Sequence, residues 1–225
     1  MRRTFALAVA ALSLTLASCE KSSIAPAETD NGAAQSEPVK IPPQEEIGAE
    51  SVLSKTAATA STTTYTTYLI RKGNNFSDQT GFRSVTVNGS MNFMARFDQS
   101  AIYTTIDPVN QYDINKLWGF SEGFSNSFNS ARVGWAYNNG ALRLYGYVYA
   151  KGVRHSREIT TVAIGTDVSC SIRLNGSSYV FTVNGVSVSL PRGTTTTRAS
   201  GLQQYPYFGG DERAPQDIRI QVRPI

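Results

Sequence analysis

Short runs of alternating apolar and polar residues, four Asn-Gly pairs between them and the absence of a 3.6-residue apolar period predict an all-β fold from about Thr64 to Ile225. A dozen or so short strands within about 160 residues, joined by connections of varied length, predict a two-sheet antiparallel β-sandwich, a concanavalin-like jelly roll. The candidate strands, in order, are 65–72, 82–88, 91–97, 101–106, 115–121, 130–137, 141–150, 156–164, 168–174, 178–183, 186–190, 203–208 and 216–223. Asn88-Gly89, Asn139-Gly140, Asn175-Gly176 and Asn184-Gly185 read as tight turns, because this pair accepts the positive φ that a two-residue hairpin needs. On that basis 85–87 pairs with 91–93, and 179–183 pairs with 186–190. Residues 193–201, rich in Thr with Gly at both ends, read as an exposed loop.

The stretch Leu142 to Lys151 carries the most functional information. Side chains alternate across a strand, so Leu142, Leu144, Gly146, Val148 and Ala150 form a core face. Arg143, Tyr145, Tyr147, Tyr149 and Lys151 then share the other face, three phenols between two cations, in a row running roughly 27 Å. Such a row suits a long anionic ligand; the alternative is a plain solvated face, since Tyr is favourable in strands. Trp135 alternates with Ala131, Val133 and Tyr137 and is expected in the core, which puts Arg132 on the opposite, groove side. Trp118 fits either side.

The ends of the chain carry a second set of signals. Arg2 and Arg3 precede an apolar run from Phe5 to Leu16 that is too short to span a bilayer, the pattern of an export signal over residues 1–18. Leu16-Ala17-Ser18-Cys19 resembles the bacterial lipoprotein processing box, which implies cleavage before Cys19 and its lipidation. Glu20 after the cysteine implies outer-membrane sorting, so the expected location is the bacterial cell envelope, with the membrane contacted through Cys19 alone. Residues 19–63 are Pro-punctuated and rich in Ala, Ser, Thr and Glu, and they read as a disordered tether carrying a domain at 64–225.

Charge divides along the same boundary. Residues 20–58 hold seven acids against three lysines, net −4, whereas 59–225 hold thirteen Arg and three Lys against ten acids, net +6. The Arg bias favours a carboxylate or sulfate partner, since the planar fork matches those groups. With Cys19 lipidated, Cys170 has no disulfide partner and is expected to be buried and inert.

Lys116-Leu117-Trp118-Gly119, then Ser130-Ala131-Arg132-Val133-Gly134-Trp135, the tyrosine strand, and Tyr207-Phe208-Gly209-Gly210-Asp211 followed by Ala214-Pro215 occur in that order. Over residues 115–223 this order resembles the jelly-roll polysaccharide lyases acting on alginate and glucuronan, with Trp118 where those enzymes carry proline. The resemblance implies a uronate-containing glycan and, if the chain is an enzyme, β-elimination. Arg132 and Arg143 would then neutralise the carboxylate, and His155 or Tyr147 would move the proton, with neighbouring arginines favouring the Tyr145 and Tyr147 phenolates. His155, the sole histidine, reads more readily as an exposed turn residue within Arg154-His155-Ser156-Arg157.

Other chemistries are poorly served. A Ser-His-Asp triad would rest wholly on His155, and zinc lacks a Cys/His cluster. Asp211, Glu212 and Asp217 offer either a structural calcium site or a solvated acidic loop. Export disfavours nucleic acid as partner. The expectation is a monomeric, lipid-anchored envelope protein that binds an acidic polysaccharide through Arg132, Arg143, Tyr145, Tyr147, Tyr149, Lys151 and Arg157. A lyase using the same face, with His155, Tyr147 and Arg132 catalytic, and a purely structural envelope lipoprotein are the alternatives.

Overall fold

The computed structural model describes residues 64–225; the export signal, Cys19 and the tether lie outside the described residues. Twelve strands follow in chain order: β1 (Thr66–Ile70), β2 (Ser84–Asn88), β3 (Ser90–Phe97), β4 (Asn115–Ser121), β5 (Ser130–Asn138), β6 (Ala141–Ala150), β7 (Val153–Val162), β8 (Val168–Asn175), β9 (Ser178–Val183), β10 (Val186–Pro191), β11 (Arg198–Gln204) and β12 (Ile218–Pro224). They form two six-stranded antiparallel sheets, ordered β1-β12-β3-β8-β9-β10 and β2-β11-β4-β5-β6-β7. The architecture is the two-sheet sandwich of jelly-roll type that the alternation implies.

Turn chemistry sets most of the register. Asn139-Gly140, Lys151-Gly152 and Asn184-Gly185 each have positive φ at both positions, which closes two-residue hairpins β5–β6, β6–β7 and β9–β10. Asn88-Gly89 does something else. β2 pairs with β11 while β3 pairs with β12 and β8, so the expected 85–87/91–93 hairpin is replaced by a corner between the two sheets. Gly89 carries φ 77° there, its N–H donates to the Thr197 carbonyl, and its own carbonyl accepts from the Leu174 N–H. Positive φ is a requirement of sharp corners in general, which is why the pair alone does not specify a hairpin.

Two further expectations change. Residues 101–106 are not a strand but an irregular segment between short 3-10 turns at Gln99–Ala101 and Pro108–Tyr112, each capped by an aspartate side chain. The second half of the Thr-rich loop is strand β11, whose Ala199 is buried and whose Gln203 and Gln204 pair with β4.

The core lies between the sheets. Trp135 is fully buried with its ring 5.5 Å from Phe97, 5.7 Å from Tyr103 and 6.2 Å from Phe208. Trp118 is also core, against Tyr68 at 5.5 Å and Tyr205 at 5.3 Å. Tilted and edge-to-face aromatic pairs of this kind add roughly 0.5–1.5 kcal/mol each beyond area burial. Gly146 sits on the core face of β6 because a Cβ there would lie 2.9 Å from both Leu190 and Phe181 of the opposite sheet. Cys170 is buried, and burial pushes its thiol up to about 12, so it is inert.

One buried ion pair ties the loop after β10 to the end of β4. Arg192 donates through Nε to Glu122 at 2.6 Å and through Nη2 at 3.1 Å, Thr194 donates to the same carboxylate at 2.7 Å, and Tyr179 donates to it as well. Burial alone would raise the Glu122 carboxyl, but these donors outweigh it and hold it below the ordinary value of 4.5. Stability from this pair is therefore full above that value and is lost as pH falls through the depressed folded-state value. Glu122→Gln, which strands the buried guanidinium, is expected to lower unfolding free energy by about 3 kcal/mol at pH 7. In urea titrations the deficit should shrink as pH is lowered below 4.5.

A cationic cleft on the β4–β7 sheet

The cleft is assembled by cross-strand rows. Directly opposed residues of antiparallel strands share a face. Arg132 of β5 faces Tyr147 of β6 on one side and Gly119 of β4 on the other, Gly119 faces Gln204 of β11, and Tyr147 faces Ser156 of β7. One row thus reads Gln204, Gly119, Arg132, Tyr147, Ser156. The next reads Ser121, Ser130, Tyr149, Arg154. Gly119 leaves no side chain between Gln204 and Arg132, and its Cβ would collide with the β5 backbone at Ala131.

A bulge in β4 adds the second cation. The register with β5 slips between Lys116 and Trp118, so Leu117 and Trp118 both turn into the core. Simple alternation from Phe120 would have sent Lys116 inward too; the extra residue returns it to the cleft side. Its Nζ donates to the Gly209 carbonyl at 2.6 Å and lies 5.1 Å from the Tyr147 ring centroid and 5.5 Å from that of Tyr207. Arg132 lies over the other part of the same system, its guanidinium 5.2 Å from the Tyr147 centroid. Its Nη2 reaches the Asn126 carbonyl at 3.4 Å, and its buried Nε has no partner.

The resulting cleft encloses about 570 Å³, with Arg83, Lys116, Arg132, Tyr147, Tyr149 and Gln204 among its lining. Lys116 and Arg132 are each only 9% exposed. Among the described residues the salt bridges are Arg96–Asp167, Arg143–Glu158 and Arg192–Glu122, so neither cleft cation has a carboxylate at ion-pair distance, although the more distant Asp113 favours the Lys116 ammonium. Burial, reinforced by the charge of Arg132, lowers the Lys116 ammonium to about 8. Burial also lowers Arg132, which nevertheless stays charged as guanidinium. Burial pushes the Tyr147 phenol up to about 12, with Tyr149, edge-on at 5.9 Å, adding to the rise. Arg132 and Arg154 pull the other way and lose. The expectation that nearby arginines make Tyr147 a phenolate is therefore overturned: it is a neutral proton donor. Tyr145, likewise raised by burial, is neutral too.

Of the residues singled out from sequence, the structure brings Arg132, Tyr147 and Tyr149 together in the cleft. Tyr145 is half-buried farther along β6 and does not line it. Arg143 is held by Asn138 at 2.8 Å and Glu158 at 2.8 Å, so its charge is already met. Lys151 is not the last residue of the strand face but sits in the β6–β7 turn with φ 51°. His155 and Arg157 lie opposite Val148 and Gly146, on the side of the sheet away from the cleft, so the expected proximity of His155 to the tyrosine row fails. The Lys151-Gly152 turn explains it: pairing Ala150 with Val153 forces His155 onto the parity of Val148. Lys116, Gln204, Arg83 and Arg154 were not singled out, although a lysine inside the apolar Lys-Leu-Trp-Gly strand was a usable signal.

Glu212 and Asp217 are each engaged by donors of the protein itself. Glu212 accepts from the Ile106 and Asp107 N–H groups at 3.0 and 2.6 Å and from Asn110 at 2.9 Å, while Asp217 accepts from the Lys72 N–H at 2.9 Å. Among the described residues no cluster of three or more His, Cys, Asp or Glu side chains is poised for a metal.

The coupling of the two cations is measurable. Labelled Lys116 Cε should titrate near 8 rather than near 10.5, and Arg132→Gln should move that midpoint upward by removing the like charge. An unchanged midpoint would mean the guanidinium and ammonium do not sense one another.

No protein-family model matches the chain, and no curated protein matches it. Solved structures similar to it include a family 18 polysaccharide lyase (TM-score 0.45, 8% identity, 71% of this chain and 85% of that one). A family 7 alginate lyase in complex with product has TM-score 0.45 and 11% identity over 70% and 76% of the two chains. An alginate lyase from Alteromonas sp. 272 has TM-score 0.42 and 9% identity over 71% and 84%. The similar solved structures thus include polysaccharide lyases.

Proposed function

We propose that the protein binds an acidic polysaccharide in the β4–β7 cleft, as a cell-envelope lipoprotein held to the membrane through Cys19. The observation that carries this reading is the pair of buried cations, Lys116 and Arg132, facing an open cleft with no carboxylate partner among the described residues. Burying a charge without its counter-ion costs several kcal/mol. A carboxylate or sulfate entering the cleft supplies that counter-ion. Gln204 and Tyr149 place amide and phenol groups on the same floor, suited to sugar hydroxyls.

Binding and Lys116 protonation are linked. An anion raises the ammonium from about 8, so affinity should be full below that pH and should fall as pH rises through it, with proton uptake on binding near pH 8. Calorimetry of the protein with alginate, glucuronan and glycosaminoglycan oligomers in buffers of different ionisation enthalpy checks both. Arg132→Ala should weaken binding at least tenfold, since removing a group that pairs with a buried charge costs about 2 kcal/mol or more. Retention of all these polymers by the variant at wild-type strength would remove the basis of the reading.

The same cleft favours a second reading on one observation: it holds an amine lowered to about 8 and a neutral phenol around one ring system. In β-elimination Arg132 would neutralise the uronate carboxylate, Lys116 would take the adjacent proton at pH above its anion-raised value, where it is neutral, and the Tyr147 phenol would protonate the departing glycosidic oxygen. The unsaturated product absorbs in the ultraviolet. Absence of that absorbance on every uronate polymer that binds leaves a binding protein without turnover.

A further inference from the structure

Two phenylalanines line the cleft without being buried in the core. Phe76 is 68% exposed and Phe82 79% exposed, yet both line the cleft that holds Arg132 and Lys116. Isolated exposed apolar residues are ordinary, but two large exposed rings lining one charged cleft are apolar surface with a location.

That surface is built rather than incidental. Phe76 forms an isolated bridge with Tyr207, and its ring packs edge-on against the Tyr207 ring at 5.0 Å. The neighbouring Asn75 donates from Nδ2 to the carbonyls of Phe208 at 3.0 Å and Glu212 at 3.2 Å, and the Phe208 N–H donates back to the Asn75 carbonyl at 2.8 Å. At the other end of the segment the Arg83 carbonyl accepts from the Gln203 N–H at 2.9 Å, next to Phe82. The chain therefore spends hydrogen bonds on holding these rings open to solvent above the cations.

We propose that Phe76 and Phe82 form an aromatic wall that selects acids carried on a sugar ring over open-chain polyanions of equal charge. This rests on the reading of the cleft as an acidic-glycan site. A uronate pyranose has a carboxylate edge and a face of C–H groups; the edge complements Arg132 and Lys116 while the face lies against the phenyl rings. A flexible inorganic polyanion meets the cations equally well and gains nothing from the wall.

The test compares an oligouronate trimer with inorganic tripolyphosphate, titrated calorimetrically into the full chain. The Phe76→Ala, Phe82→Ala double variant should bind the trimer about tenfold more weakly and tripolyphosphate as before. Phe82→Tyr, which keeps the ring, should retain trimer binding; Phe82→Leu should not. Both positions are exposed, so the double variant should stay folded, with a thermal midpoint lowered only by the few degrees that loss of the Phe76–Tyr207 contact costs. Unchanged trimer affinity in the double variant, or equal losses for both ligands, would overturn the wall. Failure of the wild-type protein to bind either ligand would instead reject the cleft itself as an anion site, and the wall with it.

Discussion

Two cations buried on one face of a sheet, with no carboxylate at ion-pair distance among the described residues, are the constraint around which this domain is arranged. Lys116 and Arg132 share the ring of Tyr147, at 5.1 and 5.2 Å from its centroid, and otherwise lean on backbone carbonyls of Gly209 and Asn126. A π face and a carbonyl offset part of the lost hydration, though less than a carboxylate does. The residue of that cost appears as the depressed ammonium of Lys116. A few strands away the same chain solves the same problem conventionally, burying Arg192 on Glu122 with Thr194 and Tyr179 completing the carboxylate's shell. The contrast between the two sites sets the cleft apart: Arg192 is neutralised by a carboxylate, whereas Lys116 and Arg132 face an open cleft.

The sandwich positions the cations through its rows and one irregularity. Register places Gln204, Gly119, Arg132 and Tyr147 side by side across four strands, and the missing side chain at Gly119 opens the floor between Gln204 and Arg132. The bulge at Leu117 then lifts Lys116 out of the core parity. Behind this floor, Trp118, Phe120 and Trp135 are fully packed, so the cleft rests on a rigid layer. Preorganisation of that kind limits what a ligand must give up in ordering its site.

Legibility followed the physics of each signal. Strand alternation is local, so the tyrosine face of β6 and the groove side of Arg132 could be read from residue order, and Tyr147 and Tyr149 are where parity placed them. Hairpin register is also local, but the Lys151-Gly152 turn went unread, and with it the parity that turns His155 and Arg157 away. Asn88-Gly89 shows the opposite error, a correct positive-φ signal attached to a sheet-crossing corner. Arg143 faces the expected side but is neutralised by Glu158, which the β6–β7 register sets opposite Tyr145 on that same face.

Composition, alternation and turn residues by themselves determined an all-β sandwich, an arginine-rich domain and one aromatic strand face, because each arises from interactions within a few residues. Only tertiary structure decided that Lys116 joins Arg132, that β11 supplies Gln204 from the far end of the chain, and that Phe76 and Phe82 overhang the same cleft. Those decisions come from a bulge, a strand pairing across more than eighty residues and a loop pinned to Tyr207, none of which leaves a periodic trace in the sequence. Burial of two cations with no carboxylate at ion-pair distance among the described residues likewise exists only once the segments carrying Asn126 and Tyr207 to Gly209 pack against the cleft side of the sheet.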